Sequence, residues 1–132
     1  DIIALFDQYP QPTPSVPETH LNCPAPVTTA PGWQYDQPSV YVLYAHMDQP
    51  ADFSIGDPVS CGAAIGLVGN TGRSGNPHLH LEIRYGPGNA VFGQMGHYSN
   101  DATIPEMDAY CTWRVSGIFQ AIDPMLLIRA MD

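Results

Sequence analysis

Apolar and polar residues alternate strictly from His78 to Arg84, with Leu79, Leu81 and Ile83 on one face and His78, His80, Glu82 and Arg84 on the other. A period of two is that of a half-buried β-strand, so two imidazoles two residues apart are predicted to point the same way. A second alternating run, Val40 to His46, places Val40, Val42, Tyr44 and His46 on one face and Tyr41, Leu43 and Ala45 on the other. Both of its faces are largely apolar, which predicts a central strand with His46 emerging at its end. Met47 to Ile55 reads as a polar loop and Gly56-Asp57-Pro58 as a turn, followed by short strands at Val59 to Cys61 and Ile65 to Val68. Gly69, Gly72 and Gly75, then Asn76-Pro77, predict a tightly turning loop that visits positive φ and runs into the His78 strand.

Composition agrees with short strands and many turns. Fourteen prolines and twelve glycines in 132 residues disfavour long helices and point to an all-β domain, mainly antiparallel, with long irregular loops. The length suits one domain with one core. Residues 1–39 stand apart, with eight prolines and a single glycine. Pro10, Pro12, Pro14 and Pro17 favour extended backbone, and Tyr9, Trp33 and Tyr35 are uncommon in disordered linkers, so 1–39 is expected to be a strap leading into a β domain at 40–132.

Charge narrows the partners. With a formal charge of -9 and four basic residues in total, the chain lacks the clustered Lys and Arg that meet nucleic acid or an anionic membrane. No apolar run approaches the roughly 18 residues of a membrane span, and no signal peptide is seen. The chain starts at Asp1 without methionine, as a processed product or a fragment would. Cys23, Cys61 and Cys111 allow one disulfide and one leftover thiol, or three free thiols.

Gly69-Asn70-Thr71-Gly72-Arg73-Ser74-Gly75-Asn76-Pro77-His78-Leu79-His80-Leu81-Glu82-Ile83-Arg84 resembles the signature of the lysostaphin-like zinc metallopeptidases, secreted bacterial endopeptidases that cut peptidoglycan peptides. Val42-Leu43-Tyr44-Ala45-His46-Met47 is similar to that family's Tyr-x-His strand end, and Ile55 to Gly69 to its glycine-punctuated pair of short strands. Ile122-Asp123-Pro124-Met125-Leu126-Leu127 resembles its closing Asp-Pro and short helix. The resemblance implies a duplicated-hybrid-motif fold with a short C-terminal helix around Pro124 to Met131, residues 1–39 standing where the first half of that domain would be, and an insert at about 86–117. The insert carries Cys111, Trp113, Tyr98, Tyr110 and His97, a weak spare ligand candidate; it is expected either to wall one side of a substrate groove, with Cys111 able to staple it to Cys61, or to be a packing appendage without contact to substrate.

By the same resemblance His80 is a zinc ligand, while His46 and His78 are catalytic residues flanking a metal-activated water. Three protein ligands leave zinc an open position for water, and imidazoles ordinarily titrate near neutrality, which suits them to accept its proton or to stabilise an oxyanion. The family's second ligand is the aspartate of an early His-x-x-x-Asp motif. Upstream of Val40 the one histidine, His20, is followed four residues later by Pro24, which cannot ligate. Asp1-Ile2-Ile3-Ala4 resembles the tail of that motif, so Asp1 is expected as a ligand, with its histidine four residues before it. Glu82 and Arg84 are expected to be solvated or supporting.

The expectation is therefore an exported zinc endopeptidase, periplasmic, extracellular or at the cell surface, that hydrolyses peptidoglycan peptides. It would be recruited to the wall by another protein domain or subunit, since its own charge is acidic. The alternative is a metal-free peptidase-like module that binds peptidoglycan or serves as a regulatory or structural subunit of a surface assembly. A glycine-loop phosphate cradle is disfavoured, because no Gly-Lys-Ser/Thr ending is present.

Overall fold

The structure is a computed structural model and describes residues 23, 30–49, 52–72, 74–96 and 102–126. Its elements, in order, are strands β1 (Gln34–Ala45) and β2 (His80–Gly88), helix α1 (Ile104–Arg114) and strand β3 (Gln120–Ile122). The three strands form one sheet in the order β1-β2-β3, and β3 pairs antiparallel with β2, Ile83 opposite Ile122, Arg84 opposite Ala121 and Tyr85 opposite Gln120. The expected antiparallel β class with a short helix is observed. Of the C-terminal helix expected around Pro124 to Met131, the described residues show one helical turn at 124–126.

Three details differ from the expectation. Among the described residues the central strand is β2, and β1 lies at the sheet's edge. That position explains Pro38 within β1, because proline has no N–H for a ladder and an edge strand needs only one bonded side. It also leaves Val42 45% and Tyr44 41% exposed, although the sequence pattern of both faces is apolar. Residues 59–61 and 65–67 are not strands; Val68 makes an isolated antiparallel bridge to Met47. The third difference is α1, eleven residues of helix in a stretch expected to be irregular.

Local sequence accounts for α1. Thr103 and Glu106 form a capping box, with the Thr103 backbone N–H and hydroxyl both donating to Glu106 Oε2, at 2.7 and 2.8 Å. These bonds, the backbone one first, hold the Glu106 carboxyl below its ordinary value of 4.5. Pro105 occupies the first turn, where its missing N–H costs nothing, and Arg114 lies in the last turn, near the negative end of the helix dipole.

The chain divides into two compact units, one of Asp1–Val42 with Glu82–Asp132 and one of Leu43–Leu81. The first holds an aromatic core. Phe119, 2% exposed, lies 5.4 Å from Trp33, 5.5 Å from Tyr41, 5.0 Å from Phe92 and 5.9 Å from Trp113 between ring centroids. All but the last are edge-on, the geometry that aromatic quadrupoles favour. Gly86 of β2 makes room for this ring, since a Cβ there would lie 2.4 Å from Phe119 Cδ1. The Tyr41 hydroxyl adds a polar tie, donating to the Pro87 carbonyl and accepting from Ala90 N at 3.1 Å.

Beside that core, the nearly buried Glu82 carboxylate accepts from Trp113 Nε1 at 2.8 Å, from Arg84 Nε at 3.2 Å and from Arg114 Nη2. Arg84 also donates to the Phe119 carbonyl at 2.9 Å. Burial pulls the Arg84 pKa down while Glu82 opposes it. One carboxylate thus ties β2 to α1, so Glu82 and Arg84 support the fold and are not solvated. A disulfide joins Cys111 of α1 to Cys23, 88 residues earlier. Cys61, the expected partner of Cys111, is instead a free and exposed thiol.

Candidate functional site

The second unit, Leu43–Leu81, contains three of the predicted site residues. They sit just past the end of β1 and at the start of β2. His46 follows the last residue of β1 and adopts φ of 62°, a left-handed conformation costing on the order of 1 to 3 kcal/mol in a non-glycine residue, which histidine tolerates better than most. His80 is the first residue of β2, and His78 precedes it in an isolated antiparallel bridge with Gly69. The strand expected to begin at His78 therefore begins two residues later. The ring of His46 lies 4.8 Å from that of His78 and 5.8 Å from that of His80, so residues more than thirty positions apart in sequence converge.

The glycine loop makes that convergence possible. Gly69 is buried against the turn after β1, where a Cβ would lie 2.3 Å from Asp48 N and 2.8 Å from the His46 carbonyl oxygen. No other residue fits so close a backbone approach. Around it, Asp48 N donates to the Leu67 carbonyl at 3.0 Å and His78 N to the Gly69 carbonyl at 3.1 Å.

Two of the imidazoles are oriented by backbone carbonyls. His46 Nδ1 lies 2.8 Å from the Thr71 carbonyl oxygen, and His78 Nδ1 lies 2.8 Å from the Asn76 carbonyl oxygen. A carbonyl only accepts, so each neutral ring carries its proton on Nδ1, which leaves the Nε2 lone pair to accept a proton or bind a cation. Hydroxyls reinforce the loop. Thr71 Oγ1 donates to the Met47 carbonyl at 2.8 Å, and Ser74 Oγ donates to the Asn76 carbonyl at 2.9 Å and lies 3.3 Å from His78 Nδ1. The sequence reading treated 69–77 as turning backbone and missed these hydroxyls. The signal was available in the alternation of glycine with Thr71 and Ser74.

The profile of peptidase family M23 matches residues 34–99, half of the chain. The chain belongs to peptidase family M23. The match spans β1, β2 and the whole stretch between them, and so includes His46, His78 and His80. Comparisons with curated proteins and with solved structures give no match. Membership brings peptide substrates and, for the family in general, metal-dependent chemistry.

Among the described residues, no group of three or more His, Cys, Asp or Glu side chains is arranged to hold a metal ion. His80 stands as one donor, and Asp1 lies outside the described residues, as does His97. A His-x-x-x-Asp spacing passed over in the sequence does occur downstream, at His97 and Asp101, and it too lies outside them. No helix among the described residues is long and apolar enough to cross a membrane.

Proposed function

We propose that this M23 chain is an exported endopeptidase that hydrolyses peptide bonds in bacterial peptidoglycan, with zinc as its cofactor, His80 and Asp1 among the zinc ligands, and His46 and His78 as catalytic residues. The observation that carries the reading is the convergence of the three imidazoles in a chain of a peptidase family. Zinc, when bound, supplies Lewis acidity toward water and a peptide carbonyl. The described donors do not complete its site, so the chemistry assigned here is that of the two imidazoles.

With Nδ1 of each ring committed to a carbonyl, Nε2 is the nitrogen that acts. One imidazole takes the proton of the attacking water as the tetrahedral intermediate forms; the other, protonated, donates to its oxyanion. Two rings 4.8 Å apart serve one reacting centre between them. Export is supported by the Cys23–Cys111 disulfide, which persists in oxidising compartments. An acidic chain gains little from an anionic wall, so a further domain or subunit that recruits it belongs to the same reading.

The test is mass spectrometry of peptides released from purified peptidoglycan, combined with elemental analysis of the natively purified protein. The expected result is about one zinc per chain and release of new amine termini that chelation stops. Zinc content of the Asp1→Ala and Asp101→Ala proteins identifies the remaining donors. Metal-free protein that binds peptidoglycan and releases nothing would replace this reading with that of a binding or structural module.

A further inference from the structure

We infer that Thr71 is a positioning residue for His46, clamping the end of β1 to the glycine loop through two hydrogen bonds of opposite direction. Its carbonyl accepts the His46 Nδ1–H at 2.8 Å, and its hydroxyl donates to the carbonyl of the next residue, Met47, also at 2.8 Å. A single residue thus holds both the ring and the backbone it hangs from. The clamp acts where restraint is needed. His46 sits in a left-handed conformation that a free chain end would leave, and the ring lies in a unit where Gly69 is the one buried residue among those described. Burial therefore does little to fix the imidazole, and hydrogen bonding does most of it.

Two consequences follow for the ring. The Thr71 carbonyl selects the Nδ1–H tautomer of His46, and the hydroxyl keeps that carbonyl in place by tying Thr71 to Met47. Without the hydroxyl the loop loses its bond to residue 47 while the carbonyl remains, so the effect on the ring is indirect and graded. The kinetic consequence rests on the peptidase reading above; the structural one does not.

The experiment compares Thr71→Val, which keeps the β-branched shape and removes the hydroxyl, with Thr71→Ser, which keeps the hydroxyl. The readouts are the tautomer of His46 from two-bond proton–nitrogen correlation spectra with the ring neutral, the His46 backbone φ from three-bond couplings, and kcat and KM on a peptidoglycan peptide. The clamp predicts a dominant Nδ1–H tautomer and positive φ in the wild type and in Thr71→Ser. In Thr71→Val it predicts a mixed tautomer, averaged couplings and a kcat lower by about ten-fold at unchanged KM, a fraction of the hundred-fold or more that a positioned base contributes. A Thr71→Val protein with wild-type tautomer and couplings would overturn the inference, as would a Thr71→Ser protein as perturbed as Thr71→Val. The spectra need no turnover. A wild type with the predicted tautomer and no hydrolysis would fail the peptidase reading and leave the clamp standing.

Discussion

The two units of this chain are built by different means. In the first, stability comes from burial: four aromatic rings meet around Phe119, Glu82 gathers two guanidiniums and an indole, and a disulfide ties Cys23 to α1. In the second, Leu43–Leu81, apolar side chains such as Ile55, 88% exposed, and Leu67 remain in water, and order comes from hydrogen bonds between a glycine loop and the ends of two strands. The three described histidines, His46, His78 and His80, lie in the second. A site held by hydrogen bonds can be altered residue by residue without touching the core, and a core can be loosened without changing the chemistry of the imidazoles. Mutations should therefore separate activity from stability by unit.

The sharpest separation is expected at the imidazoles. His78→Ala should lower peptidoglycan hydrolysis by about a hundred-fold or more, the range of a general acid or base, while the unfolding temperature stays within a degree or two of wild type. A large fall in melting temperature would show instead that the second unit supports the first. Opening the disulfide by Cys23→Ser works the other way. Releasing a cross-link that closes an 88-residue span should destabilise by about 4 to 5 kcal/mol in denaturant titration, with activity retained in the fraction that remains folded.

Glu82→Ala should cost about 3 kcal/mol, because it removes the carboxylate that Arg84 and Arg114 share in a largely buried place, and a Glu82→Gln protein should recover part of the loss. Equal losses in both variants would mean that charge, rather than the hydrogen bond to Trp113, carries the cluster. The smallest effect is expected at the cap of α1. The folded-state carboxyl of Glu106 lies below its ordinary value of 4.5, so its contribution is present above that value and is lost as pH falls through the lower folded value. Amide exchange in the first turn of α1 should accelerate on acidification below that range, and a Glu106→Ala protein should show the faster exchange already at neutral pH.

The same contrast explains what could be read from sequence. The second unit was legible because its signals are local and chemical. Alternation placed His78 and His80 on one face, glycines marked the loop, and the resemblance joined them to His46. What alternation did not reveal was how few of the apolar residues would be covered. Tyr44, Val59 and Leu67 read as strand residues, yet coverage depends on neighbouring elements that a period of two does not specify.

The first unit was harder, because its determinants are pairings between distant residues. Spacing cannot say that Cys111 meets Cys23 and not Cys61. Nor does it say that Glu82, on the imidazole face of its strand, turns to Trp113 and Arg114. The helix in the insert was in fact announced by Thr103, Pro105 and Glu106, a capping box that was overlooked because Met107 to Trp113 shows no clear apolar stripe.

The central claim is that His46 and His78 carry hydrolysis in a unit that contributes little to stability. It is tested most directly by measuring, on one preparation each of wild-type, His46→Ala and His78→Ala protein, the rate of amine release from purified peptidoglycan and the free energy of unfolding. The account predicts measurable release by the wild type, a loss of about a hundred-fold or more in both variants, and unfolding energies that agree to within about 0.5 kcal/mol. Undiminished release by either variant would contradict the role given to that histidine.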